Sequence, residues 1–236
     1  MHRFYLQTDL KKGSVLTITE SRITYQAGRV LRMWKGDRFR IFNDKGVEMS
    51  AEIVDIDKRH ILANLVEEIR NNPEPKLIVN LYQAIPKKPA LFELVVQKAT
   101  EIGVSAIYPL VTQRTEKNRT AKFERIQNIA MEATEQSGRL KIPFIHHPVN
   151  FESAIKDAKN ALIAYEFEDK KFISDYRDMI KKSKELSIFI GPEGGFSEKE
   201  IALAEKAGAL PFTFGPRILR TETAAISALS LVLLEE

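Results

Sequence analysis

The chain of 236 residues contains no cysteine. Disulfides and thiolate metal centres are thereby excluded, and a reducing compartment is the natural setting. Histidine is scarce as well: there are four, two of them adjacent at His146 and His147, with no spacing that would assemble a zinc cluster. No metal is expected. Long apolar runs are also missing. The opening MHRFYLQTDLKKG has no apolar core of signal-peptide length, and the longest apolar run, near the C-terminus, is too short and interrupted to cross a bilayer. Cytoplasmic residence without membrane attachment is the default expectation. Two familiar phosphate loops are absent: no GK[ST] follows a glycine run, and Gly191, Gly194 and Gly195 lack the GxGxxG spacing of a dinucleotide fold. There is no internal repeat and no low-complexity tract.

What is present is ordinary globular material. Apolar residues make up 44%, enough for a sizeable core. Lysine plus arginine exceed aspartate plus glutamate by 36 to 32, a mild basic excess compatible with a polyanionic partner. A polar, proline-punctuated stretch, Asn71-Asn72-Pro73-Glu74-Pro75, divides the chain into residues 1–70 and 71–236. Before it, short strands at 3–7, 15–19, 38–42, 48–56 and 61–67, with a hairpin turn at 43–46, predict a small β-barrel. One helix over 22–33 carries Ile23, Ala27, Val30 and Leu31 on an apolar stripe. Arg29, Arg32, Lys35 and Arg38 cluster around it and read either as phosphate contacts or as a solvated face.

After the boundary the pattern alternates. Strands at 76–83, 106–111, 143–148 and 161–165 interleave with helices at 90–102, 121–137 and 151–159, which predicts a parallel α/β sheet. The most informative stretch closes the chain. LSIFIGPEGGFSEKEI reads as a buried strand, a glycine loop and a helix capped by Ser197 with Glu200. PFTFGPRILRTETAA repeats that layout, with Thr221 or Thr223 as the cap of a helix that runs to Leu234. The last helix is apolar on nearly every side and is expected to be buried all round.

GPEGGFSEKE and GPRILRTETAA together resemble the paired cofactor loops of the SPOUT methyltransferases, and specifically the RsmE family, which methylates uracil N3 in 16S ribosomal RNA. LVVQKATEIGV, PLVTQRTEK and EATEQSGRLKIP are similar to further motifs of that family in order and spacing. RFYL and VLRMWKGD resemble its PUA-like RNA-binding domain, with Tyr25-Gln26 standing where the family often has histidine. The resemblance implies an α/β fold: a PUA-like β-barrel over 1–70, followed over 71–236 by a SPOUT domain with a C-terminal trefoil knot. It also implies S-adenosylmethionine as cofactor, 16S rRNA of the small ribosomal subunit as partner, and a homodimer.

The resemblance assigns the cofactor to Leu162, Gly191, Glu193, Gly194, Gly195, Ile218, Leu219 and Thr223, largely through the backbone. Methylation at N3 needs a group to take the N3 proton and a cation to stabilise charge on the neighbouring carbonyl oxygens. Glu132, Glu135, Glu193 and Glu222 are the candidate carboxylates, and sequence does not choose among them. Glu222 suits equally the first turn of a helix, where the dipole favours a carboxylate. Arg220 and Arg217, which flank the Ile218-Leu219 pair, and Arg139 are the candidate cations, and Arg3, Arg29, Arg32 and Arg114 the candidate RNA contacts. Two other readings fit less well: a SPOUT enzyme acting on another RNA or on a ribose 2′-oxygen, and a non-catalytic RNA-binding protein.

Overall fold

The structure, a computed structural model, describes residues 1–116 and 122–234. It divides into two compact units, Met1–Glu74 with Thr134–Lys141, and Pro75–Ala133 with Ile142–Glu236. Among the described residues no helix is long and apolar enough to cross a membrane.

The first unit is a five-stranded sheet built from β1 (Arg3–Tyr5), β2 (Val15–Ile18), β3 (Arg38–Phe42), β4 (Glu48–Ile56) and β5 (Ile61–Glu68). The strand order is β1-β3-β4-β5-β2, with β1 parallel to β3 and the remaining pairs antiparallel. Register shifts at Ser50/Ala51 and Ile53/Asp55 bend β4, which lets the sheet curl around its own core. Alternate residues supply that core: Phe39 and Ile41 from β3, Met49, Ala51 and Ile53 from β4, and Ile61, Ala63 and Leu65 from β5. The expected hairpin turn is present, with the Asn43 side chain accepting from the N–H groups of Lys45 and Val47, both at 3.1 Å. The single helix expected over 22–33 is different. A short α1 (Ser21–Tyr25) passes into a π-helical turn at Gln26–Val30, and Arg32 then takes a left-handed φ of 52°. Ile23 and Ala27 are buried as the stripe requires, whereas Val30 is 61% exposed.

Thr134–Lys141 belongs to this unit because polar side chains hold it there. The Arg3 guanidinium donates to Glu48 at 2.7 Å and to the carbonyls of Thr134, Glu135 and Arg139 at 3.0–3.1 Å. Arg22 pairs with Glu135 at 2.9 Å, and Arg139 with Glu74 at 2.7 Å. Burial pushes the Glu74 carboxyl up, but the bond and charge of Arg139 and the N–H groups of Leu140 and Lys141 outweigh it and hold the group below its usual range.

The second unit is an all-parallel sheet: β6 (Ile78–Ala84), β7 (Ala106–Val111), β8 (Phe144–Ile145), β9 (Val149–Asn150), β10 (Ala161–Ala164), β11 (Glu185–Ile190) and β12 (Leu210–Phe212). The order is β12-β10-β11-β6-β7-β8, with β9 also paired to β7. Both faces are apolar because both are covered. Val79, Leu81, Leu162, Leu186, Ile188 and Ile190 share one core with α2 (Pro89–Ile102), α3 (Phe123–Ser137) and α7 (Thr221–Leu233). Their strand neighbours Tyr82, Ile163 and Phe189 face the other way, onto α4 (Phe151–Asp157) and α6 (Glu198–Lys206). On that second face the rings of Phe189, Tyr82, Tyr108 and His146 stack in sequence across adjacent strands, at 4.3, 4.4 and 3.7 Å between centroids.

The alternation read from the sequence is observed, with two differences. The strand expected at 143–148 is two short strands, β8 and β9. A 3-10 turn at Ile173–Tyr176 and α5 (Arg177–Lys182) had no counterpart in the sequence reading. The expected start of α3 at residue 121 lies outside the described residues. Helix α7 also departs from expectation, since Ile226 is partly exposed and Leu231, and Leu234 just past the helix end, are open to solvent at 47% and 65%.

Candidate active site

Because every strand of the second sheet runs the same way, their C-terminal ends meet along one edge, the usual place for a ligand in such sheets. β11 ends there at Ile190, and the chain continues as Gly191-Pro192-Glu193-Gly194-Gly195. A turn closes the loop, with the Gly195 N–H on the Pro192 carbonyl at 2.9 Å and Gly195 at φ 68°. That left-handed backbone favours glycine. The loop then enters α6 through the expected capping box: the Glu200 N–H meets Ser197 Oγ at 3.3 Å, and the Ser197 N–H meets Glu200 Oε2 at 2.8 Å.

Neighbouring strand ends grip this loop. Arg114, beyond the end of β7, donates to the Gly194 carbonyl at 2.6 Å. Glu200 Oε1 accepts the Gln113 N–H at 2.8 Å, so the loops after β7 and β11 are fastened together twice. Glu193 accepts the Lys87 N–H at 3.0 Å. Glu166, just past β10, lays its carboxylate against Gly195, where a β-carbon would collide with it. Burial first, and then the Glu166 charge, push the neighbouring Tyr165 hydroxyl up.

The connection from β12 to α7 completes the arrangement. Neither threonine caps α7: Arg220 occupies the N-cap position and makes no side-chain capping bond. Thr221 instead lies inside the helix, buried, and donates its hydroxyl proton to the Gly191 carbonyl at 2.6 Å. The same oxygen accepts from Gln83 Nε2, at the end of β6, at 2.8 Å. Gln83 is fully buried, and its Oε1 has no hydrogen-bond partner among the described residues. Among those residues, the backbone N–H groups of Glu193, Gly194, Ile218 and Leu219 also make no hydrogen bond. Two loops therefore present free donors beside one buried free acceptor.

Of the residues singled out from sequence, Gly191, Glu193, Gly194, Gly195 and Arg114 are joined by the contacts above. Leu219 is half-buried against the core, while Ile218, at 89% exposure, and Thr223 face solvent. Arg220 is exposed; Glu222 is buried in the first turn of α7 and has no hydrogen bond or ion pair among the described residues. Leu162 is wholly buried in the middle of β10, between Ile188 and Leu210, and its side chain belongs to the core. Glu132 is exposed on α3. In the first unit, Arg3 and Arg139 are buried in the ion pairs already described, whereas Arg29 and Arg32 are exposed.

Gln83, Glu166 and Glu200 were not recognised as site residues from sequence. A glutamine closing the apolar run of β6 was a usable signal, since a polar side chain there needs a buried partner. Glu166 carried no such mark. A cavity of about 790 Å³ opens beside Gln113 and Glu200, bordered by Glu152, Lys156, Asp157 and Lys199. Charges of both signs line it, so it offers no uniform field to a polyanion.

Glycine and basic loops at the edge of a parallel sheet, following a small curled β-sheet domain, define a two-domain α/β protein with a ligand-type loop cluster at its sheet edge. The comparisons specify it. Residues 72–233 match the RNA methyltransferase domain family, and residues 27–66 match the RNA methyltransferase PUA domain. Ribosomal RNA small subunit methyltransferase E of Rickettsia conorii is 32% identical over 98% of this chain and 94% of its own. The methyltransferase E of Neisseria gonorrhoeae, crystallised with S-adenosylmethionine, superposes with a TM-score of 0.90 at 30% identity, covering 98% of this chain and 96% of that one. A putative methyltransferase of Legionella pneumophila, in complex with the same cofactor, gives 0.89 at 34% identity, covering 99% and 97%. The chain belongs to the ribosomal RNA small subunit methyltransferase E family.

Proposed function

We propose that the chain is an S-adenosylmethionine-dependent enzyme that methylates N3 of one uridine in the 16S rRNA of the small ribosomal subunit. The observation that carries this reading is the convergence of Gln83, the Gly191–Gly195 loop and Thr221 at the sheet edge. The residues fit the cofactor. Free N–H groups at Gly194 and Leu219 suit its carboxylate and adenine edge, the orphaned Gln83 Oε1 suits one of its hydroxyl or amino protons, and Ile218 supplies apolar surface for a flat base. When bound, the cofactor supplies an electrophilic methyl group on a sulfonium sulfur.

The protein's share is orientation, proton removal and charge stabilisation. Glu222 is the favoured acceptor of the N3 proton, because Glu135 is engaged by Arg22 and Glu193 by Lys87, while Glu132 lies open to water. Arg220, two residues away and exposed, stabilises the charge that spreads onto the uracil oxygens once the proton has left. Arg114 is read as a positioning residue of the glycine loop, and Arg29 and Arg32 as phosphate contacts of the β-domain. Arg3 and Arg139 are read as structural.

Three further elements belong to this reading. The chain beyond β12 returns to the end of β11 at Thr221, which supports a trefoil knot. The exposed apolar side chains of Leu231 on α7 and Leu234 at its end, beside the partly exposed Ile226, support a homodimer, detectable as twice the chain mass by light scattering. Cytoplasmic residence follows from an rRNA substrate. The direct test is incubation with labelled S-adenosylmethionine and small subunits lacking their native modifications, followed by nucleoside mass spectrometry. 3-Methyluridine in the small-subunit RNA is expected; a methyl group on another atom or another RNA would overturn the assignment.

A further inference from the structure

The chain has one tryptophan, and it lies on the surface of the first unit with 72% of its area exposed. A ring of that size normally gains by burial, so its exposure needs a cause. The backbone supplies one. The π-helical turn at Gln26–Val30 ends with the Leu31 N–H on the Gln26 carbonyl at 2.9 Å, and Arg32 follows in the left-handed region at φ 52°, a conformation unfavourable for any residue that carries a β-carbon. Met33 then turns inward, its N–H on the Ala27 carbonyl at 2.9 Å. Trp34 is left at the corner, with its N–H on Asp37 Oδ2 at 2.9 Å and its carbonyl accepting from the Asp37 N–H at 3.1 Å. Gly36, at φ 93°, closes the turn by donating to the Ile53 carbonyl at 2.8 Å. The main chain is thus fixed on both sides of a ring that stacks on no other ring and no cation among the described residues.

The surroundings are cationic. Residues 21–36 include four basic side chains and no acidic one. Arg22 is engaged by Glu135, but Arg29, Arg32 and Lys35 are exposed and form no ion pair among the described residues. Tyr25 is exposed too, at 64%. Asp37 is the one carboxylate bonded to this corner, and an exposed aromatic face on a fixed main chain, with unpaired cations two and five residues before it and one residue after it in the chain, matches what single-stranded nucleic acid offers, a flat base flanked by phosphates. We propose that Trp34 is a stacking platform for an unpaired base of the RNA substrate, with Arg29, Arg32 and Lys35 neutralising the adjoining phosphates. This rests on the reading above that the chain binds RNA. It adds a base-contacting residue to a surface otherwise read as binding phosphate alone.

Since no second tryptophan interferes, intrinsic emission reports on this site directly. The full chain is titrated with an end-labelled 12-nucleotide oligouridine, following tryptophan emission and RNA anisotropy together. Expected are quenching that tracks the anisotropy, a 5- to roughly 150-fold weaker affinity for Trp34→Ala, from the usual strength of base–aromatic stacking, and affinity within about threefold for Trp34→Phe. Arg29→Ala with Arg32→Ala should flatten the salt dependence, which Trp34→Ala should leave alone. Anisotropy showing binding with unchanged emission, and with Trp34→Ala as tight as the parent, would overturn the platform and leave the RNA reading intact. Absence of binding to oligouridine and to small-subunit RNA alike would remove both. Emission that shifts with anionic lipid vesicles but not with RNA would assign the face to a membrane and overturn the proposal. The ring is exposed, so the variants should fold, as circular dichroism will check.

Discussion

The Thr221 hydroxyl donates to the Gly191 carbonyl at 2.6 Å while accepting from Gln83, so one side chain ties the start of α7 to the ends of β11 and β6. Thr221→Val keeps the shape and removes both bonds, leaving a buried amide and a carbonyl short of partners. Such losses cost about 1–3 kcal/mol. Urea denaturation should register that destabilisation, and calorimetric titration with S-adenosylmethionine should show weaker binding. Unaltered stability would mean that the network is satisfied in another way.

Gly195 separates two effects that are usually confounded. The atom a β-carbon would strike is the end of the exposed Glu166 side chain, which can swing away, whereas the φ of 68° cannot be relieved so simply. Gly195→Ala should therefore lose about 1–2 kcal/mol from the backbone term alone, and adding Glu166→Ala should recover little of it. Recovery of most of the loss in the double variant would place the strain in the side chain.

Arg220 is exposed and makes no capping bond, so Arg220→Ala should leave thermal stability within about 0.5 kcal/mol. Methyl transfer should nevertheless fall by about 100-fold, the usual scale for one charge-stabilising group. Undiminished turnover at saturating RNA would remove Arg220 from the mechanism.

Acid should weaken the protein in two stages. Burial, and then the charge of His147, lower the affinity of His146 for protons below the usual value near 6.5. The unfolded chain thus takes up a proton at a higher pH than the folded one, and stability declines as the pH falls below about 6.5. Glu74 responds in a lower window. Its folded value lies below the usual 4.5, so its contribution is full above that point and is lost as the pH drops through the folded value. Denaturation midpoints measured from pH 7 to 3 should show the first decline abolished by His146→Phe. Glu74→Gln should be destabilised at pH 7 by about 3 kcal/mol, because it removes one charge of a buried ion pair with Arg139.

Much of the fold was legible because local pattern and tertiary need coincided. The continuous apolar run of β11 announces a strand buried on both faces, and Ser197 with Glu200 announces the start of α6, since a capping box is a local device. Where local chemistry permits several outcomes, sequence did not decide. Thr221 and Thr223 are both competent caps; the structure uses neither, because the free carbonyl of Gly191 claims the Thr221 hydroxyl. Residues 173–182 are dense in charge and weak in periodicity, so their short helices left little trace. The site was partly legible for the same reason. Glycines announce a loop, but the grip of Arg114 on Gly194 and the approach of Glu166 to Gly195 join residues far apart in the chain. Arg3 and Arg139 illustrate the converse: an arginine written beside a functional motif looks the same in sequence whether it faces a substrate or fills an ion pair.

The first unit is not one stretch of chain, and this limits how the protein can be divided or recombined. A fragment cut after Glu74 would retain Arg3, Arg22 and Glu74 but forfeit residues 134–141, the carbonyls and charges to which all three bond. Such a module could not be grafted intact onto an unrelated enzyme as one contiguous exon-like block.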